Sequence, residues 1–166
     1  MSRKIFRHSV VLALLAIHLT QAHALCDRDE QQLAAAIDQK IENWAQLRKL
    51  QMKIGACDQG SIAEGITEAV VNLLANHWDK LDQLARYSGK QKSFGVFVIR
   101  HITATADDQQ LLAIIGNAEK YCPDGHLRLC ANLAGKAKIA LKESSELDTE
   151  STVGEKNTKP IPKTQN

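Results

Sequence analysis

Four cysteines carry the clearest chemistry in this chain: Cys26, Cys57, Cys122 and Cys130. An even count in an exported chain points to two disulfides. Cys122 and Cys130 flank the turn Cys122-Pro123-Asp124-Gly125 and sit close enough in sequence to close a small loop between two successive helices. That pairing leaves Cys26 for Cys57. The helix read between those two would span roughly 38 Å over about 25 residues, whereas a disulfide needs Cα atoms within about 7 Å. The 26–57 bond therefore requires the first helix to kink or begin late. The other pairings tie the far ends of that helix to two neighbouring cysteines and are also strained. His126 lies midway between Cys122 and Cys130, giving three soft ligands at four-residue spacing. A zinc site needs a fourth ligand and reduced thiolates. Export disfavours the second, so a cystine is the expected state and no metal or cofactor is assigned.

The acid–base candidates are His77, Asp79 and His101. A His/Asp pair can transfer protons, and a hydrolase built on these three is one alternative function. No serine elbow, HExxH helix or glycine-rich phosphate loop accompanies them, so no catalytic residue is assigned. His101 follows Phe97 by four positions and reads as a packed core side chain; Asp79 reads as a helix cap. Paired acids at Asp107-Asp108 fit a helix start, where carboxylates favour the macrodipole. Trp44 and Trp78, the only tryptophans, are expected to anchor helix packing; either one exposed, together with His77, would mark a partner surface.

These residues must be held by helices. Period-two strand patterning is essentially absent, while apolar residues recur at spacings of three, four or seven. Leu33, Ile37, Ile41, Trp44, Leu47 and Ile54 form one stripe on a long first helix ending near Gly55. Ser61-x-x-Glu64 is a capping box opening the second, which carries Ile66, Val70, Leu73 and Leu74 and ends near Asn76 in a left-handed turn. A third helix runs from Trp78 to Ser88-Gly89, a fourth holds Phe94, Phe97, Val98 and Ile102, and a fifth starts at Thr105 or Asp107. The sixth runs from Leu127 to about Leu141. About six amphipathic helices on short turns predict an all-α fold, a small helical bundle or a short stack of helix hairpins. No fixed internal period marks a repeat family.

The flanks differ. Arg3, Lys4 and Arg7, an apolar run from Val10 to Leu19, and Ala22-His23-Ala24 have the form of a secretory signal peptide over residues 1–24. The run is about half the ~20 residues of a membrane-spanning helix, so no stable membrane insertion is expected after cleavage. Residues 25–142 then form the helical domain. Residues 143–166, rich in Glu, Ser, Thr, Lys and Pro, read as a disordered polar tail. The whole chain has 21 Lys+Arg against 19 Asp+Glu, but three of the basic residues and none of the acidic ones lie in residues 1–24. The mature chain holds 18 against 19, about −1. A polyanion-binding surface is strongly basic, so nucleic acid is excluded as an expected partner.

Small size, export and missing catalytic motifs lead to an expected non-catalytic role in binding another protein, as an inhibitor, an immunity-type protein or an envelope adaptor. A carrier with an apolar cavity between helices is the other alternative. The compact signal and the lack of any Asn-x-Ser/Thr acceptor favour the periplasm over the extracellular medium.

Overall fold

The computed structural model describes Ile37 and residues 41–55 and 57–155. The expected signal segment 1–24, Cys26, Leu33 and residues 156–166 lie outside the described residues. Among the described residues there are six α-helices and no strand, so the fold is all-α, a small helical bundle. The helices are α1 (Trp44–Ile54), α2 (Gly60–Asn76), α3 (Leu81–Lys90), α4 (Lys92–Arg100), α5 (Asp108–Lys120) and α6 (Leu127–Glu155), with a 3-10 turn at Trp78–Lys80 before α3. No helix among the described residues is long and apolar enough to cross a membrane. The chain divides into two compact units, residues 1–69 and 70–166, with the boundary inside α2.

In the first unit the long first helix is not continuous. Ile41 to Asn43 leave the helical conformation, and Asn43 is extended, with φ −158° and ψ 163°. Its Oδ1 accepts from the Gln46 N–H at 3.0 Å, and Gln46 Oε1 in return accepts from the Glu42 N–H at 2.7 Å. Asn43-x-x-Gln46 is thus a cap with a reciprocal side chain, close to the capping box. The apolar stripe conceals it, because Ile37, Ile41 and Trp44 keep helical spacing straight through the break. α1 ends where Gly55 takes φ 52° and returns its N–H to Gln51 O. The buried positions are Ile41, Trp44, Leu47, Leu50 and Ile54, joined by Ile62 and Ile66 from α2. Gly65 lets the Ile37 side chain approach so closely that a Cβ there would collide with it. α2 begins at Gly60, with φ 57°, one residue before the expected Ser61.

In the second unit α2 stops at Asn76 as expected, but not through a left-handed residue: no described non-glycine residue has positive φ. The chain passes through His77 into the 3-10 turn instead. Two reciprocal side-chain caps join this corner to the end of α5. Asn117 Nδ2, on α5, donates to Leu74 O at 3.2 Å and Ala75 O at 3.0 Å, carbonyls that α2 leaves unpaired at its C-terminus. Trp78 Nε1 donates to Tyr121 O at 2.8 Å, beyond the end of α5. Asp107, one of the two expected caps, holds the α5 N-terminus by accepting from the Gln110 N–H at 3.0 Å. α5 and α6 pack along each other. Leu111, Ile114 and Ala118 on α5 are buried, as are Leu133, Ala134, Ala137 and Ala140 on α6. The alanines are the low-entropy way to bring two helix backbones close.

The end of α6 departs from the expected boundary at Lys142. The helical backbone continues through residues 143–155, which were expected to start a disordered tail. Among the side chains described, up to Leu147, the last buried one is Ala140, and Glu143 and Ser145 to Leu147 are exposed. Beyond Ala140 the helix has local support such as the Lys142–Glu146 pair at 3.6 Å, worth a few tenths of a kcal/mol.

Candidate functional site

The loop between α5 and α6 organises the most distinctive part of the surface. Pro123 cannot continue α5. Gly125, with φ 83°, then supplies a reversal that side chains other than glycine rarely adopt. Cys122 and Cys130 are disulfide-bonded across this turn, with Cα atoms 6.0 Å apart, as expected from their spacing. The two sulfurs are therefore bonded to each other rather than offered as thiolates. Among the described residues no group of three His, Cys, Asp or Glu side chains is placed to hold a metal ion. Cys57 is also disulfide-bonded. Its expected partner Cys26 lies outside the described residues, but the break at Asn43 meets the condition that a bond at Cys57 places on the first helix.

His126 is the last residue before α6. Its N–H donates to Pro123 O, and its carbonyl accepts from the Cys130 N–H. Its Nε2 lies 2.8 Å from Asp82 Oδ1, in the first turn of α3. The cystine-held turn is thus fastened to α3 by a His–Asp pair between residues 44 apart in sequence. The Asp82 side chain is 64% exposed and that of His126 28%, so water screens the contact.

Beside this pair an open groove of about 760 Å³ runs between α3, α4 and the start of α6. Its apolar part includes Ala85, Val96, Ile99 and Leu129, with Gly89 and Gly95 leaving the floor low. Lys92 and Arg128 stand along it, and no carboxylate lines it. Neither cation has an ion-pair partner among the described residues, whereas Asp82 is occupied by His126. Ser88 also lines the groove; its Oγ is shielded from solvent and makes no hydrogen bond. Leaving such a hydroxyl unpaired costs about 1–3 kcal/mol. Gly95 lets α4 approach α3 closely, since a Cβ there would sit 3.1 Å from Ser88 Cβ, tighter than an ordinary contact. Gly89 differs, because a Cβ there meets nothing within 4 Å.

The residues singled out from sequence fall elsewhere. His101 is buried at 4% exposure, with its ring centroid 4.7 Å from that of Phe97. Phe97 in turn stacks on Phe94 at 6.2 Å, and Tyr87 meets Phe94 edge-on at 6.1 Å. His77 and Asp79 flank Trp78 in the corner before α3. Among the described residues no hydrogen bond or ion pair joins the side chain of His77 or Asp79 to His101. Trp44 is buried, with its Nε1 lacking a hydrogen-bond partner; Trp78 is half-buried, its indole engaged by Tyr121. The acid–base pair that does form, His126–Asp82, joins distant turns, and no local motif announces it. Ser88 does not complete a nucleophile–base contact with it, because its hydroxyl has no hydrogen-bond partner. Comparison of the chain with known protein families, with characterised proteins and with solved structures finds no match.

Proposed function

We propose that this protein is an exported, non-catalytic helical module, placed in the periplasm, that binds another protein through the groove between α3, α4 and α6. The observation that carries the reading is the groove itself: a low apolar floor beside a wall held rigid by a cystine. Pre-organised surfaces of this kind lose little conformational entropy on binding. The Cys122–Cys130 bond and the bonded Cys57 support an oxidising compartment, in keeping with the signal pattern of residues 1–24. A small-ligand carrier is the second reading, favoured by a groove volume within the usual ligand-site range of about 300–1,000 Å³. The hydrolase reading has less support, since among the described residues no hydrogen bond or ion pair joins the side chain of His77 or Asp79 to His101.

The test uses the mature protein as bait on the envelope fraction, beside the variant Gly89→Leu. That change fills the groove from a position with open space around its Cβ. It also replaces a helical glycine, so folding should improve by about 0.5–1 kcal/mol. A specific protein retained by the parent and lost by Gly89→Leu is the expected result. Recovery of no specific protein, or the same protein from both baits, overturns the reading.

A further inference from the structure

We infer that the segment seated in the groove is an acidic amphipathic helix of the partner protein. This rests on the reading of the groove as a protein-binding surface. The groove contributes two cations, Lys92 at the start of α4 and Arg128 in the first turn of α6, against no lining carboxylate. Neither Asp82, which hydrogen-bonds to His126, nor Asp124, exposed on the turn, is among the residues that line the groove. A cation with no ion-pair partner of its own gains one when a carboxylate of complementary charge arrives. The rest of the lining is largely apolar or glycine, with Ala85, Gly89, Gly95, Val96, Ile99 and Leu129, a composition that suits a ridge of aliphatic side chains at helical spacing. Val96, 68% exposed at one edge, gains cover from such a ridge. Ser88 Oγ gains a hydrogen-bonding partner if a polar group reaches it.

The experiment titrates the isotopically labelled mature protein, followed by NMR, with two designed peptides of about 15 residues, each about 22 Å long as a helix. Both carry the same leucine stripe; one presents glutamates and the other lysines on the flanking positions. The acidic peptide should perturb the amides of Ser88, Gly89, Val96 and Leu129 and bind at least about tenfold more tightly than the basic one, a difference of about 1.4 kcal/mol. The preference should invert in the double variant Lys92→Glu, Arg128→Glu. No perturbation at about millimolar peptide, or equal binding of both, overturns the inference. If Gly89→Leu abolishes capture of the envelope partner while the charge-reversed variant captures it undiminished, the groove remains a protein site and only its acidic specificity is lost. Sedimentation of the mature protein alone supplies the last arm. Self-association abolished by the charge reversal would seat the acidic end of α6 from a second copy in the groove and overturn assignment to another protein.

Discussion

His101 and His126 belong to the same unit and have opposite surroundings. His101 closes α4 in an aromatic row with the buried Phe97 and Phe94 and the half-buried Tyr87, where its ring serves as a flat packing surface. His126 stands on a cystine-held turn, partly exposed, hydrogen-bonded to Asp82 across a gap of 44 residues. The difference shows how little the residue type alone decides. A histidine one helical turn after a phenylalanine on an apolar stripe is drawn into the core, whereas one after a Pro-x-Gly reversal is left at a rim. The aromatic region is maintained by burial and will respond to lost volume. The turn is maintained by covalent and polar fastening and will respond to lost connections.

The sharpest way to break this contrast is to truncate the aromatic row. Phe94 is completely buried and touches both Tyr87 and Phe97. Phe94→Ala should cost about 3–5 kcal/mol through lost transfer energy and the cavity left behind. Urea unfolding followed by circular dichroism measures it; a midpoint close to that of the parent would mean that the row is not a core. Next in size is the cystine. Replacing Cys122 and Cys130 by serine opens a short loop, with an expected loss of about 2.5 kcal/mol in the chain-entropy account. The loss should be local. Hydrogen exchange should quicken at Gly125, His126 and Leu129 while the amides of Phe97 and Val98 keep their protection. Equal acceleration in both places would mean that the turn and the aromatic row unfold as one element, and the distinction drawn between them would disappear.

Much of this architecture was legible because it depends on local periodicity. The apolar stripes predict most of the buried faces of α2 and α4, with Ile62 and Val71 added by the structure, and the Asp107 cap and the Pro123–Gly125 reversal follow from side-chain chemistry close in sequence. Three features resisted. The break at Asn43 lies inside an uninterrupted apolar stripe, and only the pair Asn43 and Gln46 signals it. The apolar pattern ends the last helix at about Leu141, but α6 continues as helix to Glu155. The groove combines α3, α4 and the turn before α6, and the contact beside it, Asp82 with His126, joins residues 44 positions apart, as distant as the pairs Trp78–Tyr121 and Asn117–Leu74 that tie α5 to the corner before α3. No periodicity carries such pairings, so the sequence presents His126 only as a neighbour of two cysteines and not as the partner of Asp82.

The smallest expected effect is also the one that separates fastening from packing most cleanly. Asp82→Asn keeps the size of the side chain and an oxygen that can accept from a protonated His126 Nε2, but removes the charge. Because Asp82 is largely exposed, the pair lies in a high-dielectric setting, and exposed pairs of this kind contribute less than about 1 kcal/mol. Global stability should therefore hardly move. The position of the turn should move more, because outside the cystine this contact is a direct tie from the turn to α3. The measurement is the nitrogen chemical shift of the His126 ring, together with exchange at Gly125 and Gly89 on either side of the groove. Altered ring shifts and faster exchange at unchanged unfolding free energy would place His126 in the fastening category that its exposure implies. A loss above about 2 kcal/mol would instead give the pair the energetic weight of a buried interaction. His126 and His101 would then differ in position but not in kind, and the groove wall would have to be regarded as part of the core rather than as a surface set against it.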